Sequence, residues 1–235
     1  METAEQSLVK PAKDSFSKLI TADGTANIKK LQQYYFKSFR KLRLPLAKVK
    51  TESGQEIFDK LCAGYISDSR QYHNFDHVAF FVREVLRAFS KFRMPNHAVI
   101  AGFGHDLYNG IAPSIDERKS ADFLIYELNK LGMAKAELEY IYGLIMATDH
   151  SKLVLDEDQK LFADIDLVPM ALENEIFMSN MEKIRKEYKL TPEDFKKNQE
   201  TFFGMILLRP SIYQSEYFGY LDEQARHNIE SYLHS

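Results

Sequence analysis

Apolar residues recur along this chain every three or four positions, the spacing that gives a helix one continuous apolar face. Over 55–66 the pattern is carried by Ile57, Phe58, Leu61, Cys62 and Tyr65, and over 77–89 by Val78, Phe81, Val82, Val85, Leu86 and Phe89. The same reading predicts a helix over 11–19, with Pro11 in its first turn, and another over 27–42 that ends before Pro45. The turn-like Thr21-Ala22-Asp23-Gly24 separates these two. Further helices are predicted over 97–107, 116–131 (closed by Gly132), 137–147, 175–188, 192–208 and 221–233, and the segment 161–168 carries Asp164-Ile165-Asp166-Leu167. With ten Gly and seven Pro in 235 residues, turn signals are sparse. The fold class read from the pattern is all-α, a helical bundle with an N-terminal helical extension.

The segment 97–107 differs from its neighbours. Pro95-Asn96 signals a helix entry with Asn96 as N-cap, and the interior Ala98-Val99-Ile100-Ala101-Gly102-Phe103-Gly104 is uncharged and rich in small residues, as in a helix buried on most sides. His105-Asp106 at its end therefore brings two polar groups into the core. Buried without partners they would cost several kcal/mol; a metal ion would satisfy both, and hydrogen bonds are the alternative.

Composition adds limits. At 45% hydrophobic residues the chain can bury a large core. Cys62 is the single cysteine, so no internal disulfide forms; it reads as a buried thiol in a cytoplasmic protein. Residues 1–10 carry no apolar run behind a basic cluster, and the apolar stretch 202–208 is too brief to span a bilayer, so no membrane role is expected. Residues 1–50 hold eleven Lys or Arg against four Asp or Glu, a balance of +7 in front of −10 over the remainder. This divides the chain into a basic helical extension, 1–50, packing on an acidic domain, 51–235, and argues against nucleic acid as a partner. A homo-oligomer is compatible with the sequence.

The candidate chemistry is the series His73-x-x-x-His77, then His105-Asp106, then Asp166, a ligand set for a divalent ion that could activate water. If their segment is helical, His73 and His77 share one face a turn apart; ordinary hydrogen-bonded histidines are the competing reading. Imidazole with carboxylate suits Mn, Fe, Ni, Co or Zn better than Ca, with Mg admissible, and the absence of a thiolate set disfavours structural zinc. Among the apolar neighbours of Asp164 and Asp166, at least one carboxylate should be buried, for the metal or as a helix cap or a partner of Arg185.

Read in order, Arg70-Gln71-Tyr72-His73-Asn74-Phe75-Asp76-His77, Gly104-His105-Asp106-Leu107-Tyr108, Glu117-Arg118-Lys119-Ser120-Ala121, Ala147-Thr148-Asp149-His150, Asp164-Ile165-Asp166-Leu167, Ile184-Arg185-Lys186-Glu187-Tyr188, Arg209-Pro210-Ser211-Ile212-Tyr213 and Ala225-Arg226-His227-Asn228 resemble the HD superfamily of metal-dependent phosphohydrolases. The closer resemblance is to a group of uncharacterised HD phosphohydrolases, from about Phe58 to the C-terminus. The chain differs from that group at Asp116, often Asn there, and at Asn198-Gln199, often Gly-Arg.

The resemblance implies an HD-type domain that hydrolyses a phosphate mono- or diester, a nucleotide or other small phosphate ester. It implies His77, His105, Asp106 and Asp166 as metal ligands, with Asp106 also placed at the chemistry. A further likeness to cyclic-nucleotide phosphodiesterases implies His73 as the proton donor. His150 and Asp164 are candidates for a second metal or a phosphate contact, with structural hydrogen bonding the equal alternative for His150. Glu117, Arg118 and Lys119 could line the mouth, or form a solvated helix start; Arg185, Arg209 and Arg226 could pair with interior carboxylates. The alternatives to a hydrolase are a di-iron HD-type oxygenase and a non-catalytic nucleotide-binding module.

Overall fold

A computed structural model describes residues 19–21, 24–42, 44, 49–110 and 114–235. Among the described residues the chain is all-α: ten α-helices and no strand, with an isolated antiparallel bridge between Ile20 and Ala26. The helices are α1 Ile28–Phe39, α2 Val49–Tyr65, α3 Phe75–Arg87, α4 Pro95–Gly104, α5 Ile115–Lys130, α6 Lys135–Met146, α7 Glu157–Leu167, α8 Asn174–Glu187, α9 Pro192–Leu207 and α10 Asp222–Leu233. Of the helix predicted over 11–19 all but Leu19 lies outside the described residues.

Side-chain caps set several of the starts. Asn27 accepts a hydrogen bond from the Lys30 amide, Asn74 from that of Asp76, and Asp156 from those of Asp158 and Gln159, each taking up an amide that the first helical turn leaves unpaired. At the end of α5, Gly132 turns the chain out with φ +76°, a conformation open to glycine at little cost.

The uncharged segment forms the centre of the bundle. Residues 97–104 of α4 are all buried, and α4 packs against α1, α3, α5 and α6. Its glycines permit this. A Cβ on Gly102 would lie 3.1 Å from the Phe81 ring, and one on Gly104 would lie 3.0 Å from Leu124. On the α1 side, Phe103 meets the Tyr35 and Phe58 rings at centroid separations of 5.2 and 6.2 Å. Truncating so enclosed a phenylalanine costs about 3–5 kcal/mol.

Four expectations are corrected. Asn96 is not the N-cap: Met94 occupies that position and Pro95, whose ring pre-sets the helical φ and which lacks an amide to satisfy, starts α4. The helix also stops at Gly104, so His105 and Asp106 sit on the turn that leaves it. α2 begins at Val49, ahead of the expected residue 55, and runs through Gly54, where the Phe39 ring comes so close that a Cβ would meet it at 2.9 Å. Cys62, expected to be buried, is half-buried with a free thiol that burial and the nearby Asp59 push up to about 11. No helix among the described residues is long and apolar enough to cross a membrane.

Candidate metal centre

Three helix ends meet at one point. α3 supplies His77 from its first turn, the turn after α4 supplies His105 and Asp106, and the last turn of α7 supplies Asp166. The Nε2 atoms of His77 and His105 lie 3.0 Å apart. Asp106 Oδ2 is 3.0 Å from the first and 3.1 Å from the second, and Asp166 Oδ1 is 3.6 and 3.7 Å away. One donor atom from each residue falls within 4.8 Å of the others, and this buried group can hold a metal ion.

The tautomer of His105 supports this. Its Nδ1 faces the Gly102 carbonyl at 2.9 Å, which accepts a proton and cannot supply one. Neutral His105 therefore turns the Nε2 lone pair toward His77 and two carboxylates, an arrangement that a cation relieves. Without a metal the proton takes that part: burial lowers the affinity of His105 for it, but Asp106 and Asp166 outweigh burial and push its pKa up to about 10. Burial would raise the Asp106 carboxyl, yet the His105 and His77 rings hold it well below the usual range. The donor atoms thus compete for positive charge.

His73 lies outside the group, and it is not on the helix with His77 as the four-residue spacing suggested. It sits on the turn before α3, which Asn74 caps, with its ring centroid 5.5 Å from that of His77. Glu187 fixes it. One Glu187 oxygen is 2.8 Å from His73 Nδ1, and the other accepts the amides of Tyr72 and His73 at 2.7 and 3.0 Å. Asn109 donates to the same carboxylate at 2.5 Å and is itself held by the Tyr188 hydroxyl. Burial alone would lower the His73 pKa; Glu187, with Asp106 and Asp166 beyond it, raises it instead, while the His73 ring brings Glu187 down to about 2 against its burial. Glu187 thus favours the charged form of the ring, and with Nδ1 engaged Nε2 remains.

The other candidates divide. Arg118 and Lys119 are exposed on α5, whereas Glu117 is half-buried with an Oε2 that has no hydrogen-bond partner; burial, Asp106 and Asp149 push its carboxyl up to about 7. Asp164 is buried, and both its oxygens accept backbone amides, from Gln214 at 2.8 Å and Ser215 at 2.6 Å, so it ties down the 214–215 loop and is not part of the metal group. His150, at φ +55°, places Nε2 2.9 Å from the second oxygen of Asp166 and so holds that carboxylate in position. Arg185 pairs with Glu182 and Arg226 with Asp222, and Arg209 donates to the His150 carbonyl.

Sequence reasoning assigned no role to Glu187, Asn109 or Arg70. Glu187 could have been found, because it follows Ile184 by three residues on the stripe of α8 that carries Phe177 and Met181 inward, where a carboxylate calls for a partner. Arg70 gave no such signal. Its guanidinium donates to the carbonyls of His73, Asp106 and Leu107 at 2.6–2.8 Å, fastening the His73 turn to the His105-Asp106 turn. Compared with known proteins, the sequence matches no family model and no curated protein.

Proposed function

We propose that this protein is a metal-dependent phosphohydrolase of the HD type, acting on a nucleotide or other small phosphate ester. The observation that carries the reading is the pairing of two arrangements: donor atoms of His77, His105, Asp106 and Asp166 that all lie within 4.8 Å of one another, and beside them the His73 ring, whose Nδ1 is taken by Glu187 and whose Nε2 is uncommitted. The ordered motifs that resemble the HD superfamily point the same way.

Two imidazoles with two carboxylates favour Mn, Fe, Co, Ni or Zn over Mg, which keeps mostly oxygen around it. A divalent cation held by His77, His105, Asp106 and Asp166 would supply a water deprotonated near neutral pH and would polarise a phosphoryl oxygen. The protein supplies the rest. As the ester P–O bond breaks and water adds to phosphorus, His73 Nε2 would give its proton to the departing oxygen, a contribution of roughly 10²- to 10⁴-fold. Glu187 would hold Nδ1–H and leave Nε2 for that transfer. Arg70 fixes the distance between donor and ligands through three backbone carbonyls.

The test is a panel of mono- and diesters assayed with the protein loaded in turn with Mn, Co, Ni, Zn and, under anaerobic conditions, Fe. Phosphate release that disappears in Asp166→Asn supports the reading. Absence of turnover at every metal, or turnover unchanged in Asp166→Asn, rejects it.

A further inference from the structure

Beside the metal centre lies a cavity of about 140 Å³ with two unlike ends. At one end are Tyr72, His73, His150 and Asp166, which bring together the proposed proton donor and the edge of the metal group. The other end is apolar. One stripe of α8 provides Phe177, Met181 and Ile184, and Pro169, Met170 and Phe202 complete the wall. The polar group within that wall is the amide of Asn180, next to Met181 on the same helix. A single element therefore builds both halves of the arrangement: one turn past Ile184, α8 supplies Glu187, which orients His73.

Resting on the phosphohydrolase reading, we propose that this cavity receives the departing alcohol of the substrate, and that the alcohol is a compact apolar one: a single aromatic ring or a short branched alkyl group. The argument is one of place, lining and size. A leaving oxygen protonated by His73 must lie beside His73, and the space beside His73 is this cavity. Its walls offer one amide and no charged side chain beyond the polar end, so a body with many hydroxyls would lose hydrogen bonds to water on entering. For size, an apolar cavity of about 150 Å³ holds one benzene. A nucleoside, with a sugar as well as a base, exceeds that space, so of the two substrate classes expected from the motifs the structure favours the small ester.

Two measurements test this together. The first titrates phenol, the alcohol alone, into the protein with and without added zinc and follows the methionine methyl NMR signals. The second compares kcat/KM for phenyl phosphate, 1-naphthyl phosphate and thymidine monophosphate. Met181→Phe fills the cavity and Phe202→Ala enlarges it.

The expected result is saturable phenol binding that shifts Met170 and Met181 and weakens at least about tenfold in Met181→Phe, with phenyl phosphate preferred in the wild type and the preference moving toward the naphthyl ester in Phe202→Ala. Phenol binding of this kind with no ester hydrolysed would support the cavity assignment while rejecting the hydrolase. Ester hydrolysis with the same size preference in all three proteins, or phenol binding unaffected by Met181→Phe, would overturn the cavity assignment and leave the hydrolase standing.

Discussion

Helix α7 carries a carboxylate at each end, Asp158 buried and Asp166 partly buried, and they are satisfied in opposite ways. At its start, Asp158 accepts from the Arg93 amide at 3.0 Å, from Arg93 Nε at 3.1 Å and from the Tyr140 hydroxyl at 2.6 Å. About 12 Å along the axis, Asp166 faces the rings of His77, His105 and His150. The first environment is closed. Every contact is a donor that needs nothing further, so the cluster joins the 93–94 turn to α7 and does no more. The second is open, because the Gly102 carbonyl fixes a proton on His105 Nδ1 and leaves Nε2 with a proton that a cation can displace. Negative charge is common to both ends; what separates a structural carboxylate from one suited to a metal is whether the protons its neighbours bring are fixed or can be displaced by a cation.

The largest effect that would break this contrast is on catalysis. Asp106→Ala removes a donor from the open end and should lower phosphate release at least about 10³-fold, since the cation contributes several kcal/mol at about 1.36 kcal/mol per tenfold. Full activity in that variant would remove the reason to treat the two ends differently. Next comes His73→Ala, for which a kcat loss of about 10²-fold with metal content unchanged is expected. Loss of the metal along with activity would instead make His73 a ligand.

A pH titration sharpens the comparison further. In the metal-free protein the His105 pKa is raised from 6.5 to about 10, so the stability it contributes is complete below pH 6.5 and is lost as pH rises through about 10. Metal binding requires the neutral ring and displaces that proton, so metal affinity should climb about tenfold per pH unit over the same window. Calorimetry in buffers of different ionisation enthalpy reads the released proton directly. A pH-independent affinity with no proton released would contradict the assignment. The smallest effect lies at the closed end: Asp158→Asn should cost about 1–3 kcal/mol in a denaturant melt and leave metal binding as it was.

Much of this was legible in the sequence because helices in water are written in apolar spacing. The uncharged run 98–104 could only be a central helix, and the His-Asp pair at its end therefore pointed to a buried polar site. What the spacing could not convey was the direction of each side chain at a helix end. His73 and His77 would share a face only if their segment were helical, but Asn74 begins α3 between them and puts His73 on a turn that Arg70 and Glu187 hold. The apolar neighbours of Asp164 and Asp166 called for burial of at least one carboxylate without saying which, and positions separated by two on a helix point roughly 200° apart. One therefore meets the 214–215 loop and the other the histidines. Glu187, 114 residues beyond His73, is joined to it by the fold alone.

Metal content per chain, measured by mass spectrometry on the wild type, Asp158→Asn and Asp166→Asn purified side by side and then incubated with Mn, Co, Ni or Zn, tests the central claim most directly. About one ion per chain in the first two and a loss of most of it in Asp166→Asn is the expected outcome. Metal retained in Asp166→Asn, or no uptake by the wild type with any of the four ions, would contradict it.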